Sequence, residues 1–186
     1  MIFNNPSDIC GYYIKTAVFF GDTVIDATAG NGNDTLKLSN AVGAKGRVYS
    51  FDIQKEAIES ARKKEYKYKN VKFIHDSHEE MDKYVKEKVK AVFFNLGYLP
   101  GGDHSVATKK ESTIAAIKKS MSLIVPQGVI VLTIYRGGDS GFSEYNGVID
   151  FLKKTDYRYF NVLLFDYVNR PNNPPVAAVI QKKSVN

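Results

Sequence analysis

The segment Val24-Ile25-Asp26-Ala27-Thr28-Ala29-Gly30-Asn31-Gly32-Asn33-Asp34-Thr35 organises this chain. A short β-branched run breaks into a glycine-containing turn, which leads into an apolar-periodic stretch at 36–42. That order predicts a strand, a tight turn and a helix. Gly30 and Gly32 lack side chains where the backbone must bend sharply and where a ligand can approach it closely. The helix behind the turn aims free N–H groups and the positive end of its dipole at that point, which favours an anionic group. Asp26 sits at the strand end, and Thr35 stands where the G-x-G-x-x-G pattern would have its third glycine.

Outward from this unit, Pro6-Ser7-Asp8 reads as a helix start, with the helix over 9–20. The first strand is expected over 23–27, and Gly43 and Gly46 mark a return turn. A second strand follows at 47–51 with Asp52 at its tip, then a helix at 55–66. A third strand at 71–75 ends in Asp76-Ser77-His78 and precedes a helical stretch at 79–86. A fourth strand at 90–95 closes on Asn95 and gives way to a Pro- and Gly-rich loop. A helix at 108–124, the turn Pro126-Gln127-Gly128, a strand at 129–135 and a helix at 143–154 come next. Two β-rich runs, 159–168 and 176–182, flank Asn169-Arg170-Pro171-Asn172-Asn173-Pro174-Pro175. Strands that alternate with helices predict a parallel sheet covered on both faces. The connection between the last two runs is too short for a crossover helix, so they should pair antiparallel. The expectation is one α/β domain over residues 1–186, with a seven-stranded, mostly parallel sheet and an antiparallel C-terminal hairpin.

A chain of 186 residues suits one domain with a sizeable core. No apolar run approaches the ~18 residues that would span a bilayer, and residues 1–8 carry no basic-then-apolar signal pattern. Cys10 is the lone cysteine, so no internal disulfide can form; it reads as a small buried residue. A cytoplasmic location fits this composition. Three histidines without a Cys/His cluster give no basis for a metal site. The formal net charge of +6 favours an anionic partner, nucleic acid before membrane. Its densest basic run is Arg62-Lys63-Lys64-Glu65-Tyr66-Lys67-Tyr68-Lys69, which equally suits a solvated helix end.

In an open α/β sheet, ligands bind outside the carboxyl ends of the strands. Asp52 lies at such an end, where a carboxylate can accept both hydroxyls of a ribose. Asp76 and Ser77 can offer acceptors to an adenine amine, or cap a helix. His78 can pack against the adenine ring. Asn95, with a neighbouring backbone carbonyl, can accept hydrogen bonds from an amine and fix its lone pair in line with a sulfonium methyl. The methyl is already activated, so positioning is the main lever. Tyr98 can stack on a planar base.

These residues carry a resemblance. A mostly parallel sheet with a terminal antiparallel hairpin is the Rossmann-like layout of class I methyltransferases that use S-adenosylmethionine. The run Asp26 to Thr35 resembles the cofactor motif of a small family labelled rRNA methylases, and Asn95-Leu96-Gly97-Tyr98-Leu99-Pro100-Gly101-Gly102-Asp103 resembles its fourth motif. Tyr135, Gly137 and Glu144 fit its next loop and helix, and Asn169 with Asn173-Pro174-Pro175 fits its C-terminal signature. Better understood members methylate the amine of 5-aminomethyl-2-thiouridine at the tRNA wobble position. The resemblance implies cofactor contacts from Asn31, Asn33, Asp52, Gln54, Ser77 and His78; Asp26, Gly30, Gly32, Asp34, Thr35 and Asn95 are further cofactor candidates in the same turn and strand end. Asn95 and Tyr98 are the catalytic candidates, and Tyr98, His104, Tyr135 and Arg170 are the candidates for the substrate wall. The implied partner is the anticodon region of tRNA. Asn33 stands where many relatives carry histidine, and Arg170-Pro171 replaces a Gln-Lys type pair.

Other readings remain open at this level. The same cofactor could serve rRNA or a small amine metabolite, and the fold could also be a non-catalytic nucleotide-binding module. Asp52 also suits a nicotinamide dehydrogenase, against which the missing third glycine and the C-terminal antiparallel pair count. An isologous homodimer is the default assembly.

Overall fold

The computed structural model describes residues 3–97, 108–137 and 141–184. Helix α1, Pro6–Ala17, begins at a reciprocal cap. The Asn5 side chain accepts the Asp8 N–H, and the Asp8 carboxylate accepts the Asn5 N–H. The helix ends before Phe20, because Asp22 accepts the Phe19 N–H at 2.7 Å and turns the chain.

Seven strands follow: β1 (Thr23–Asp26), β2 (Arg47–Asp52), β3 (Val71–His75), β4 (Val89–Asn95), β5 (Ile124–Ile134), β6 (Phe160–Phe165) and β7 (Val176–Lys182). Between them lie α2 (Asn33–Val42), α3 (Lys55–Arg62), the short α4 (Met81–Tyr84), α5 (Lys110–Leu123) and α6 (Gly141–Lys153). The sheet order is β3-β2-β1-β4-β5-β7-β6. All pairs among the first five strands are parallel, and β7 pairs antiparallel with both β5 and β6. The expected α/β architecture with its antiparallel end is therefore present.

Both faces of the sheet are covered, so the central strands read as unbroken apolar runs. In β4, Ala91 and Phe93 face α1 and α2, alongside Val24, Val48, Leu38 and Val42. Val92 and Phe94 face the other way, into a larger cluster with Met81, Ile117, Val148 and Leu152. Each fully buried side chain of this size contributes about 1.5–3 kcal/mol of transfer free energy. A small third cluster, Ala29, Ile58 and Ala61, seats α3 beside the glycine turn.

Three other departures from expectation have local reasons. Helix α3 stops at Arg62 rather than 66, because the Tyr66 hydroxyl takes the Ala61 carbonyl at 3.0 Å and its ring packs on Phe73. The stretch at 79–86 is a 3-10 turn, His78–Glu80, followed by the single turn of α4. Pro126-Gln127-Gly128 sits within β5 as a bulge. Val89 pairs with Ile124 and Ala91 with Val129, so the extra residues loop out where Gln127 adopts φ 60°.

Among the described residues, no helix is long and apolar enough to cross a membrane.

Candidate active site

Chain order along the sheet reverses between β1 and β4, and a cavity of about 380 Å³ opens at the strand ends there. Its first wall is the glycine turn. Gly30 and Gly32 both have positive φ, 49° and 77°. Gly32 forms the N-terminal cap of α2 and offers no side chain, so Gly30, Asn31, Asn33 and Asp34 line the cavity at the positive end of the helix. Their side chains are tied to neighbouring elements. Asn31 accepts from the Ser60 hydroxyl, Asn33 accepts from Lys64 Nζ at 2.8 Å, and Asp34 pairs with Lys37.

The second wall is the tip of β2. Asp52 accepts the Gly30 N–H on Oδ2 at 2.9 Å and the Gln54 N–H on Oδ1 at 3.0 Å. Each oxygen keeps a further lone pair, so the carboxylate can still accept two hydroxyls from a ligand. Burial raises its pKa, and the N–H donors from Gln54 and Gly30 work against that rise. Gln54 lines the same wall.

The third wall follows β3. Ser77 caps the 3-10 turn by accepting the Glu79 N–H, and it also faces the cavity. His78 is buried edge-on against Phe94, with ring centroids 5.7 Å apart. Its Nε2 is a buried polar atom without a partner in the described structure, and the residue lines the cavity. Asp76 does not line the cavity: it accepts the Tyr84 hydroxyl at 2.6 Å and the Ser77 N–H at 2.8 Å.

The fourth wall is the end of β4, where Asn95 and Gly97 meet Thr108. The Asn95 N–H donates to Thr28 Oγ1 at 2.7 Å, and the Leu96 N–H donates to the Thr133 carbonyl at 2.9 Å. Both main-chain donors are thereby spent on the scaffold, and the Asn95 side chain adds an amide oxygen that can accept at the strand end.

Three residues expected at the cofactor stand behind the cavity rather than on its surface. Asp26 and Thr35 are buried and bonded to one another at 2.5 Å, and Thr35 also meets Ser50 at 2.9 Å. Gly32 sits against Ala61. They hold the turn from beneath, because a β1 carboxylate pointing into the core can anchor the first turn of α2. Cys10 is likewise buried, 3.9 Å from Asp34, and burial keeps its thiol well above the ordinary range.

Tyr98 and His104 lie outside the described residues, as do Leu99 to Asp103. Tyr135 stands beside Gly97, and Arg170 is drawn elsewhere: its guanidinium stacks 3.9 Å from the Tyr167 ring and donates to the Asn4 carbonyl at 2.6 Å. Neither lines the cavity. Thr28, Thr108 and Lys109 line it without having been singled out from the sequence. Thr28 lies inside the opening motif, where its type alone gives no sign of a ligand; Thr108 carries no local signal at all. Among the described residues, no three His, Cys, Asp or Glu side chains gather into a metal-binding group.

Two buried groups set opposing pH dependences. Burial pushes Asp26 up to about 7 and pulls His78 down to about 4. Between about pH 4 and 7 folded Asp26 holds a proton that the unfolded chain releases, so its contribution to stability falls as pH rises. Folded His78 lacks a proton that the unfolded chain binds between about pH 4 and 6.5, so its contribution rises. Relative to the parent, Asp26→Asn should gain stability from pH 4.5 to 6.5 and His78→Phe should lose it. Urea unfolding at three pH values across this window measures both, and curves parallel to the parent's would refute the assignments.

At the cavity rim, Lys64 opens onto a basic run of Arg62, Lys63, Lys64, Lys67, Lys69 and Lys72. None of these six is ion-paired within the described structure. Tyr68 and Phe73 lie among them, with Lys67 5.3 Å from the Tyr68 ring and Arg62 5.4 Å from the Phe73 ring.

Comparison with known proteins agrees with this architecture. The chain is 37% identical to an Arabidopsis thaliana protein named tRNA (mnm(5)s(2)U34)-methyltransferase, chloroplastic, over 88% of its own length. It spans 65% of the length of that relative. It superposes on a Streptococcus mutans protein solved in complex with SAH with a TM-score of 0.89 at 35% identity, covering 97% of this chain and 99% of that one. S-adenosylmethionine, the cofactor expected from the sequence, agrees with that structure. A Clostridium thermocellum structure described as a "putative rRNA-methylase" gives a TM-score of 0.93 at 46% identity, covering 98% of this chain and all of the other. A family model described as "Putative rRNA methylase" matches residues 48–181, and with the fold and the strand-end cavity it establishes that this chain belongs to that methyltransferase family.

Proposed function

We propose that this protein transfers a methyl group from S-adenosylmethionine to the exocyclic amine of 5-aminomethyl-2-thiouridine at the wobble position of tRNA. The observation that carries this reading is the placement of Asn95 in one cavity with Asp52 and the glycine turn. The name and similarity of the Arabidopsis relative support the choice of nucleoside.

The cavity fits the cofactor chemically. Asp52 has acceptor capacity for a ribose, the start of α2 suits a carboxylate, and Ser77 and His78 line a wall against which a purine could pack. Its volume of about 380 Å³ falls within the range of small-molecule sites. When bound, S-adenosylmethionine supplies a methyl group activated by its sulfonium charge. The protein's own contribution is orientation. Asn95 Oδ1 and an adjacent main-chain carbonyl accept the two amine hydrogens and direct the nitrogen lone pair into the cavity. A neutral amide at that position does not hold the amine as ammonium, as a carboxylate would.

The cations between Arg62 and Lys72, none of them ion-paired among the described residues, support RNA over a small amine, because a phosphodiester backbone would neutralise them. Charge reversal at two of them, Lys63→Glu with Lys67→Glu, should weaken tRNA binding and reduce the slope of log affinity against log salt by about 2. An unchanged slope, measured by fluorescence anisotropy from 50 to 200 mM salt, would remove this surface from the interface.

The deciding assay incubates tRNA from cells lacking the protein with enzyme and methyl-labelled cofactor, then resolves the nucleosides by mass spectrometry. The expected product is labelled 5-methylaminomethyl-2-thiouridine, appearing as its aminomethyl precursor declines. Absence of label in every tRNA nucleoside, with SAH binding confirmed in the same preparation, would refute the tRNA reading.

A further inference from the structure

Glu144 on α6 is a buried carboxylate whose partners in the described structure are two threonine hydroxyls. Thr108 Oγ1 donates to its Oε2 at 2.8 Å, and Thr113 Oγ1 donates to its Oε1 at 2.7 Å. A carboxylate only accepts, so both hydroxyl protons must point towards it. The lone pairs of Thr108 Oγ1 are then free to face Gly97, whose N–H donates to it at 2.9 Å. The Thr108 N–H returns a bond to the Gly97 carbonyl at 3.0 Å. Gly97 is thus held by both of its backbone groups, at φ 134°, two residues beyond Asn95.

We infer that Thr108 and Glu144 are positioning residues for methyl transfer, forming a polarised clamp that holds the end of β4 so that Asn95 meets the acceptor nitrogen in one orientation. This inference rests on the acceptor role of Asn95 proposed above. The Asn95 and Leu96 N–H groups are fixed by Thr28, in the turn after β1, and by Thr133 on β5. Gly97 is the third successive amide of the strand end, and it is fixed from outside the sheet. Carboxylate oxygens that only accept set which way the Thr108 hydroxyl points; an amide there can also present its N–H donors, and in that orientation the hydroxyl turns its proton towards the Gly97 N–H and the clamp is lost. Thr108 also lines the cavity, so the clamp and the reaction space share a wall.

The test uses the full chain with Thr108→Val, Thr108→Ser and Glu144→Gln. Thr108→Val should lower kcat about 10- to 100-fold, the scale of loss from slight misplacement. KM for tRNA and Kd for SAH should stay within about twofold. Amide exchange of Gly97, read by NMR, should accelerate in the same variant. Thr108→Ser keeps the hydroxyl and should restore both readouts, and Glu144→Gln should fall between. Unchanged Gly97 exchange in Thr108→Val would overturn the clamp. Parallel losses in kcat and SAH affinity would also overturn it, by showing a general structural role. If the parent protein fails to methylate tRNA while Thr108→Val still frees the Gly97 amide, the clamp stands and the tRNA reading falls.

Discussion

Asn95→Ala is expected to cut kcat by about 100-fold or more while leaving SAH affinity within about threefold. The side chain is exposed at the mouth of the cavity, and the backbone contact to Thr28 Oγ1 does not depend on it. Truncation therefore removes an acceptor without loosening the strand. Asn95→Asp sharpens the test. A carboxylate would still accept the amine hydrogens but would favour the ammonium form, so activity should return only as pH is raised. Stopped assays on tRNA, paired with calorimetric titration of SAH, separate the two effects. Full activity in Asn95→Ala would remove this residue from the chemistry.

Gly32→Ala is expected to destabilise the protein by about 2–4 kcal/mol. A left-handed φ costs an alanine about 1–2 kcal/mol. The added Cβ would lie 2.7 Å from Ala61 Cα and 2.9 Å from its Cβ, and such overpacking adds about 1–3 kcal/mol. Reduced freedom of the unfolded chain returns about 0.4–1 kcal/mol. At this chain length the loss corresponds to a fall of roughly 5–15 °C in Tm. Affinity for SAH should fall with it, because the start of α2 would move relative to Asp52. Gly11→Ala is the control: it lies in α1 with nothing within 4 Å of an added Cβ, and should be neutral or slightly stabilising. Calorimetric scans of the three proteins would decide; equal Tm for parent and Gly32→Ala would contradict the packing of α3 on the turn.

The glycine turn shows where local reading stops. Gly30 and Gly32 were legible as a bend that admits a ligand, because backbone freedom is a property of the residue itself. That Gly32 must also make room for Ala61 depends on α3 crossing the turn, and nothing near residue 32 records it. Asp26 and Thr35 carried the same ambiguity. Their types suit a ligand site, and their burial beneath the turn, with Ser50, makes them its foundation. Arg170 read as a substrate contact from its loop, yet it secures Asn4 at the other end of the chain. Glu144 is legible only through a family resemblance, since its bonds to Thr108 and Thr113 span more than thirty residues.

The sequence alone determined the element order, the two-sided burial of the sheet, the antiparallel end and the strand-tip positions of Asp52, Ser77 and Asn95. These follow from periodicity, glycine and proline placement and loop length, all of which act over a few residues. Only the tertiary structure decided which polar groups face the cavity and which are consumed inside the fold. A side chain's role there depends on partners from distant segments, whose hydrogen bonds and burial exist only once the sheet has closed around them.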